Sequence, residues 1–136
     1  MSKVYKKEGL DMENVLENFD SLIETVDKDI DVKRYEKLEL ILVYLKFKKA
    51  IKSDKAQNLI KENIEEENGK YYIKGTRIST NSIGSFFVTN KIKNFKDLLK
   101  EYPSLENEDQ ITAAMLCFVR DNINLLKIIF IKWKFY

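Results

Sequence analysis

The chain has no histidine among its 136 residues, one cysteine, one proline and four glycines. Without imidazole there is no Ser-His-Asp or Cys-His nucleophilic pair, and no acid or base poised near neutrality. Cys117 alone cannot supply the four ligands of a structural zinc site or close a disulfide within the chain. Its apolar neighbours Met115, Leu116, Phe118 and Val119 mark it as a small buried hydrophobe. Gly9, Gly69, Gly75 and Gly84 stand too far apart to cradle a phosphate. Asp27, Asp29 and Asp31 lack the glycine and the bidentate glutamate of a calcium loop. No Glu-x-Lys triplet of the nuclease kind occurs either. The expectation is a protein that is not an enzyme and uses no cofactor or metal.

Long apolar runs are also missing. Uncharged apolar runs such as Leu40 to Leu45 are far below the roughly 20 residues of a spanning helix. Met1 to Gly9 is polar and lacks the apolar stretch of a signal peptide. A cytoplasmic protein with no membrane partner is expected, in keeping with its single cysteine.

What the chain does have is 44% hydrophobic and 34% charged residues, the balance of a globular domain. Charge is unevenly placed. Residues 1–69 carry 13 basic and 16 acidic side chains, and residues 70–136 carry 11 and 6. From Glu8 to Asp31 nine acids meet a single Lys28, and a basic cluster follows at Lys46, Lys48, Lys49, Lys52 and Lys55. Such asymmetry points to one half facing nucleic acid, or to solvated helix faces of opposite sign.

Met12, Val15, Leu16, Phe19, Leu22, Ile23, Val26 and Ile30 recur at three- and four-residue steps, the stripe of an amphipathic helix. Asp11 is placed to cap it, with Leu10 and Val15 as a hydrophobic staple. Its outer face is almost wholly acidic. A second helix is expected from about Asp31 to Ile51, apolar over most of its circumference and the most buried element. Ser53 or Asp54 caps a third that runs through Glu66.

Asn68-Gly69 breaks the pattern and marks a boundary. Beyond it, Lys70 to Lys74 reads as a short strand, followed by a turn near Gly75 and a second extended segment. Three helices follow: Ser79 or Thr80 to Val88, Asn94 to Tyr102, and one from Asn107. Asn107 and Gln110 have capping-box spacing. The tail supports two readings. Leu116, Val119, Ile123, Leu126, Phe130 and Trp133 step as a helix, whereas Ile129, Ile131, Trp133 and Phe135 alternate as a strand. β-branched and aromatic content favours a strand over 127–136.

The fold expected is therefore mainly α. An N-terminal helical bundle (1–69) precedes a short β-hairpin with a helix-turn-helix-like trihelical unit (70–122). An apolar, aromatic tail (123–136) packs on the core or on a partner.

The run Ile73-Lys74-Gly75-Thr76-Arg77-Ile78, the turn Glu101-Tyr102-Pro103-Ser104-Leu105 and the segment Glu108 to Met115 resemble the bacterial and archaeal family known as domain of unknown function 433. The likeness spans about fifty residues, Lys70 to Asn122. Ser79 stands where that family usually has proline, and Asn90-Lys91 replace a turn glycine. The resemblance implies a trihelical, helix-turn-helix-like unit and the role of an antitoxin paired with a ribonuclease-like toxin. Each motif also has an architectural reading. Gly75 allows positive φ at a turn. Arg77 offers a planar fork to a carboxylate or phosphate, and pins the hairpin to an acidic helix if its role is structural. Pro103 ends a helix, and Ala113 and Ala114 permit close packing.

Two binding functions compete. The favoured one is an antitoxin-like regulator that engages and inhibits a toxin or nuclease-like protein. Its acidic helix (Glu13, Glu17, Asp20, Glu24, Asp27) would occupy a basic channel, and its tail (Trp133, Phe135, Tyr136) would add aromatic anchors. An inhibitor encoded by a mobile element or virus would use the same surfaces. The alternative is a DNA-binding transcriptional regulator using Lys91, Lys93, Asn94, Lys96, Lys100 and Arg120. Against it, Glu106, Glu108 and Asp109 crowd the start of the would-be recognition helix, where phosphates repel them. Self-association stays open.

Overall fold

The computed structural model describes residues 12–26, 39–89 and 95–135. They form α1 (Met12–Val26), α2 (Glu39–Ala50), α3 (Asp54–Asn63), strands β1 (Ile64–Glu67) and β2 (Lys70–Ile73), α4 (Thr80–Thr89), a 3-10 helix η1 (Phe95–Lys100) and α5 (Glu108–Phe135). The chain is mainly α with one antiparallel hairpin, as its patterning implies.

The first half of α5 is the axis of the fold. Every residue from Ile111 to Cys117 is buried, which is how a helix apolar on all sides must sit. It touches each of the other elements. Ala113 and Ala114 are fully buried, consistent with close helix approach. Its start is built as the spacing predicts. Asn107 Oδ1 accepts from Gln110 N (3.2 Å), and Gln110 Oε1 accepts from Asn107 N (3.1 Å) and Glu106 N (2.6 Å). These bonds satisfy backbone donors that the first turn leaves without helical partners.

α1 buries Val15, Leu16, Phe19, Leu22, Ile23 and Val26 against α2, α4 and α5. Its expected cap Asp11 and staple residue Leu10 lie outside the described residues. α2, expected to be the most buried element, is not so over its described side chains. Phe47 and Ala50 face the core, while Leu45 is 55% exposed. α5 occupies the central position instead.

α3 starts at the predicted cap, with Ser53 Oγ accepting from Ala56 N (3.2 Å). It ends three residues sooner than expected, at Asn63, and passes directly into β1. Asn68-Gly69 therefore sits at the hairpin tip rather than between two units. The strands pair Ile64 with Ile73, Glu65 with Tyr72, Glu66 with Tyr71 and Glu67 with Lys70. Both tip residues have positive φ (53° and 80°), the geometry for which Asn-Gly is favoured in two-residue hairpins.

The Gly75 turn is also real, at φ 75°. Thr76 Oγ1 donates to Ile73 O (2.8 Å), Ile73 N donates to Ile78 O (2.9 Å), and Ser79 bridges antiparallel to Tyr72. The extended segment predicted after Gly75 is thus a single bridge that leads into α4.

Two expectations for the second half change. The helix expected from Asn94 to Tyr102 is 3-10 over its described length, held down by Leu98. The tail is helical to Phe135, not a strand. Once α5 is nucleated at its capping box, each added residue extends an existing helix, and the three- and four-residue apolar steps keep that register. A strand there would need a partner edge, and the hairpin is the only sheet among the described residues.

α4 and α5 meet at a glycine. A Cβ built on Gly84 would overlap the Phe118 ring at its root, where the side chain cannot swing clear. Gly84→Ala should therefore destabilise the fold by about 1–3 kcal/mol, despite the better helix propensity of alanine. A urea melt measures it, and a neutral or stabilising result would mean the two helices are not in that contact.

Candidate functional site

The hairpin, the turn after it and α5 enclose an open groove of about 510 Å³. Lys70, Tyr71 and Tyr72 form one wall, Arg77 and the start of α4 (Ser79, Thr80, Asn81) another, and Asp121 closes it from α5. Ser79 caps α4, its Oγ accepting from Ser82 N at 3.0 Å.

The charges around this groove answer one another. Arg77 Nη1 lies 2.8 Å from Glu67 Oε2, and its guanidinium stacks 4.8 Å from the Tyr72 ring centroid. Its carboxylate partner therefore belongs to β1 and not to an acidic helix. With the arginine side chain 76% exposed, this pair contributes under about 1 kcal/mol and serves mainly to orient the turn. On the other side, Arg120 Nε donates to Asp121 Oδ1 (3.1 Å) and Nη2 to Cys117 Sγ (3.2 Å), and the guanidinium lies 5.5 Å from the Tyr71 ring centroid. Glu66, across the strands from Tyr71, accepts the phenol's hydrogen bond and repels its ionised form, so Tyr71 titrates above its usual value. The groove offers hydroxyls and balanced charge to a ligand. Among the described residues, no group of three His, Cys, Asp or Glu side chains is placed to hold a metal.

Cys117 is fully buried, and burial pushes its thiol from an ordinary 9.0 up to about 11, with Arg120 opposing. Below pH 9.0 the thiol is neutral whether the chain is folded or not. Between 9.0 and about 11 the unfolded chain ionises first, so folding stability should fall as pH rises through that window. Denaturant melts from pH 8 to about 11 on wild type and Cys117→Ala test this. The wild type should lose more stability than the variant, and equal losses would refute the burial effect.

The acidic residues of α1 share one face. Glu17 and Glu24 are exposed and Asp20 is half-buried, opposite the buried stripe. Glu13 lies in α1 by its backbone, while its side chain and all of Asp27 lie outside the described residues. In the tail, the backbone of Trp133 and Phe135 belongs to α5, and Tyr136 lies outside. Leu125 and Ile128, three residues apart on the same helix face, are 56% and 51% exposed. They were not singled out from the sequence. Their three-residue spacing is the signal the sequence carries for them.

Of the residues expected to meet nucleic acid, Lys91, Lys93 and Asn94 lie outside the described residues, and Lys96 is placed only by its backbone in η1. Lys100 is exposed. Arg120 is instead held by Asp121, Cys117 and Tyr71. The start of α5 exposes Glu106, Glu108 and Asp109, as anticipated. Among the described residues no helix is long and apolar enough to cross a membrane.

No protein-family model matches this chain, and comparison with curated proteins and with solved structures finds no match to it.

Proposed function

We propose that the protein acts by binding, as an antitoxin-like regulator that engages and inhibits a nuclease-like partner. The acidic face of α1 and the far end of α5 make the contact. The observation that carries this reading is the exposure of Leu125 and Ile128 on a helix that continues to Phe135. Large apolar side chains left in water on one helix face suit a helix-in-groove contact. The carboxylates of Glu17 and Glu24 supply charge that would complement a channel built for RNA. The resemblance of residues 70–122 to an antitoxin-linked family agrees with this role.

Affinity purification from the native host tests it, using wild type and a Glu17→Lys/Asp20→Lys/Glu24→Lys variant. The wild type should retain a basic protein that the variant releases. Equal retention by both would discard the acidic face as a contact.

A further inference from the structure

We propose that the elbow between α2 and α3 is a docking surface for the phosphate backbone of duplex nucleic acid, carried by Lys48, Lys49, Lys52 and Lys55. The chain turns there within three residues. Ile51 N donates to Phe47 O (2.9 Å), Lys52 N to Lys49 O (3.2 Å) and Ser53 N to Ala50 O (3.1 Å). Phe47, Ala50 and Ala56 lock the elbow to the core from inside. The four lysines are all exposed, and none is in an ion pair among the described residues. Lys48 alone has a neighbour of note, the Tyr44 ring 5.4 Å away. Between Tyr44 and Lys61 the only acid is Asp54.

Stability of the fold does not account for this arrangement. Lys48 and Lys49 do complement the negative end of the α2 dipole. Lys55, however, lies in the first turn of α3, where the dipole disfavours a cation. Lys52, in the turn just past the end of α2, adds like charge beside Lys48 and Lys49. A polyanion lying across the elbow would remove both costs, and the α3 N-terminus would add to its attraction.

The chemistry selects among polyanions. Single strands are gripped by aromatic platforms, and the one aromatic ring among the described residues at this surface, Tyr44, is overlaid by Lys48. An anionic membrane calls for an apolar face beside the lysines, whereas Phe47, Ala50 and Ala56 point inward and Leu45 is the one exposed large apolar side chain among the described residues of the elbow. An acidic protein would look for aromatic or arginine anchors, and among the described residues the elbow offers only Tyr44, which Lys48 overlays. Duplex phosphates need charge alone, and their linear density is the highest of these targets. Lysine-phosphate contacts carry no base information, so binding should be indifferent to sequence. This surface is separate from the α1 and α5 contacts proposed above, and either can fail without the other.

Fluorescence anisotropy with an arbitrary duplex of about 20 base pairs, titrated from about 25 to 200 mM salt, reads the effect. Wild type should bind with log K falling steeply against log salt. Lys48→Gln/Lys49→Gln/Lys52→Gln/Lys55→Gln should flatten the slope by about 3–4, or roughly 0.9 per lysine. Lys74→Gln, at an exposed lysine of the turn after the hairpin, should bind as wild type. If the quadruple variant melts early, Lys52→Gln and Lys55→Gln taken singly decide the question, each expected to reduce the slope by about 0.9. The proposal is overturned by any of three results. These are no duplex binding at the lowest salt, unchanged slopes in the elbow variants, or equal or tighter binding of single-stranded RNA or phosphatidylserine vesicles.

Discussion

An alanine at position 19 is expected to lower the unfolding free energy by about 3–5 kcal/mol. Phe19 is fully buried and meets Phe47 edge to face, ring centroids 6.2 Å apart, so it joins α1 to α2. α1 depends on such burial. Its outer face carries Glu13, Glu17, Asp20 and Glu24 at spacings where like charges repel, so packing rather than local preference must hold the helix. Domains of this kind are stable by about 5–15 kcal/mol in total. The variant should therefore melt roughly 10–17 °C lower. A loss below about 1 kcal/mol in a urea titration would show that α1 is not part of the core.

The second large effect concerns binding without stability. Leu125→Asp/Ile128→Asp replaces two side chains that the fold leaves in water, so the melting curve should move by no more than about 0.5 kcal/mol. Affinity for a protein captured as proposed above should fall at least about a hundredfold, since buried apolar anchors in interfaces are each worth about 2 kcal/mol or more. Titration calorimetry against the captured partner gives the number. If the variant melts early instead, the two residues pack within the protein, and the far end of α5 is not the contact.

What could be read from the chain was mostly local. The apolar stripe of α1, the Ser53 cap and the Asn107/Gln110 box all follow from neighbours within a turn or two of helix, and all are present. What could not be read depended on distant partners. Ile64-Glu65-Glu66-Glu67 has little strand preference of its own and pairs only because Tyr71 and Tyr72 lie opposite. Asn68-Gly69 therefore looked like a break between units, although it is the tip that joins them.

The tail was weighed by residue type, which favours a strand, when the deciding factor was the helix already running into it. Apolar content points to α2 as the centre, whereas packing against every other element puts α5 there. At the candidate groove, Gly75 was legible from its turn. The clasp of Arg120 by Cys117, Asp121 and Tyr71 was not, because Tyr71 arrives from a strand almost fifty residues earlier. The lysine cluster was visible as composition. The exposure of Lys48, Lys49, Lys52 and Lys55 and the place of Lys55 at a helix start needed the fold.

The most direct test of the central claim is the RNA-cleaving activity of the captured partner, measured alone and with one equivalent of this protein. Cleavage should stop at a one-to-one ratio and return when Leu125→Asp/Ile128→Asp is used instead. A partner that stays bound and cleaves at full rate would contradict it.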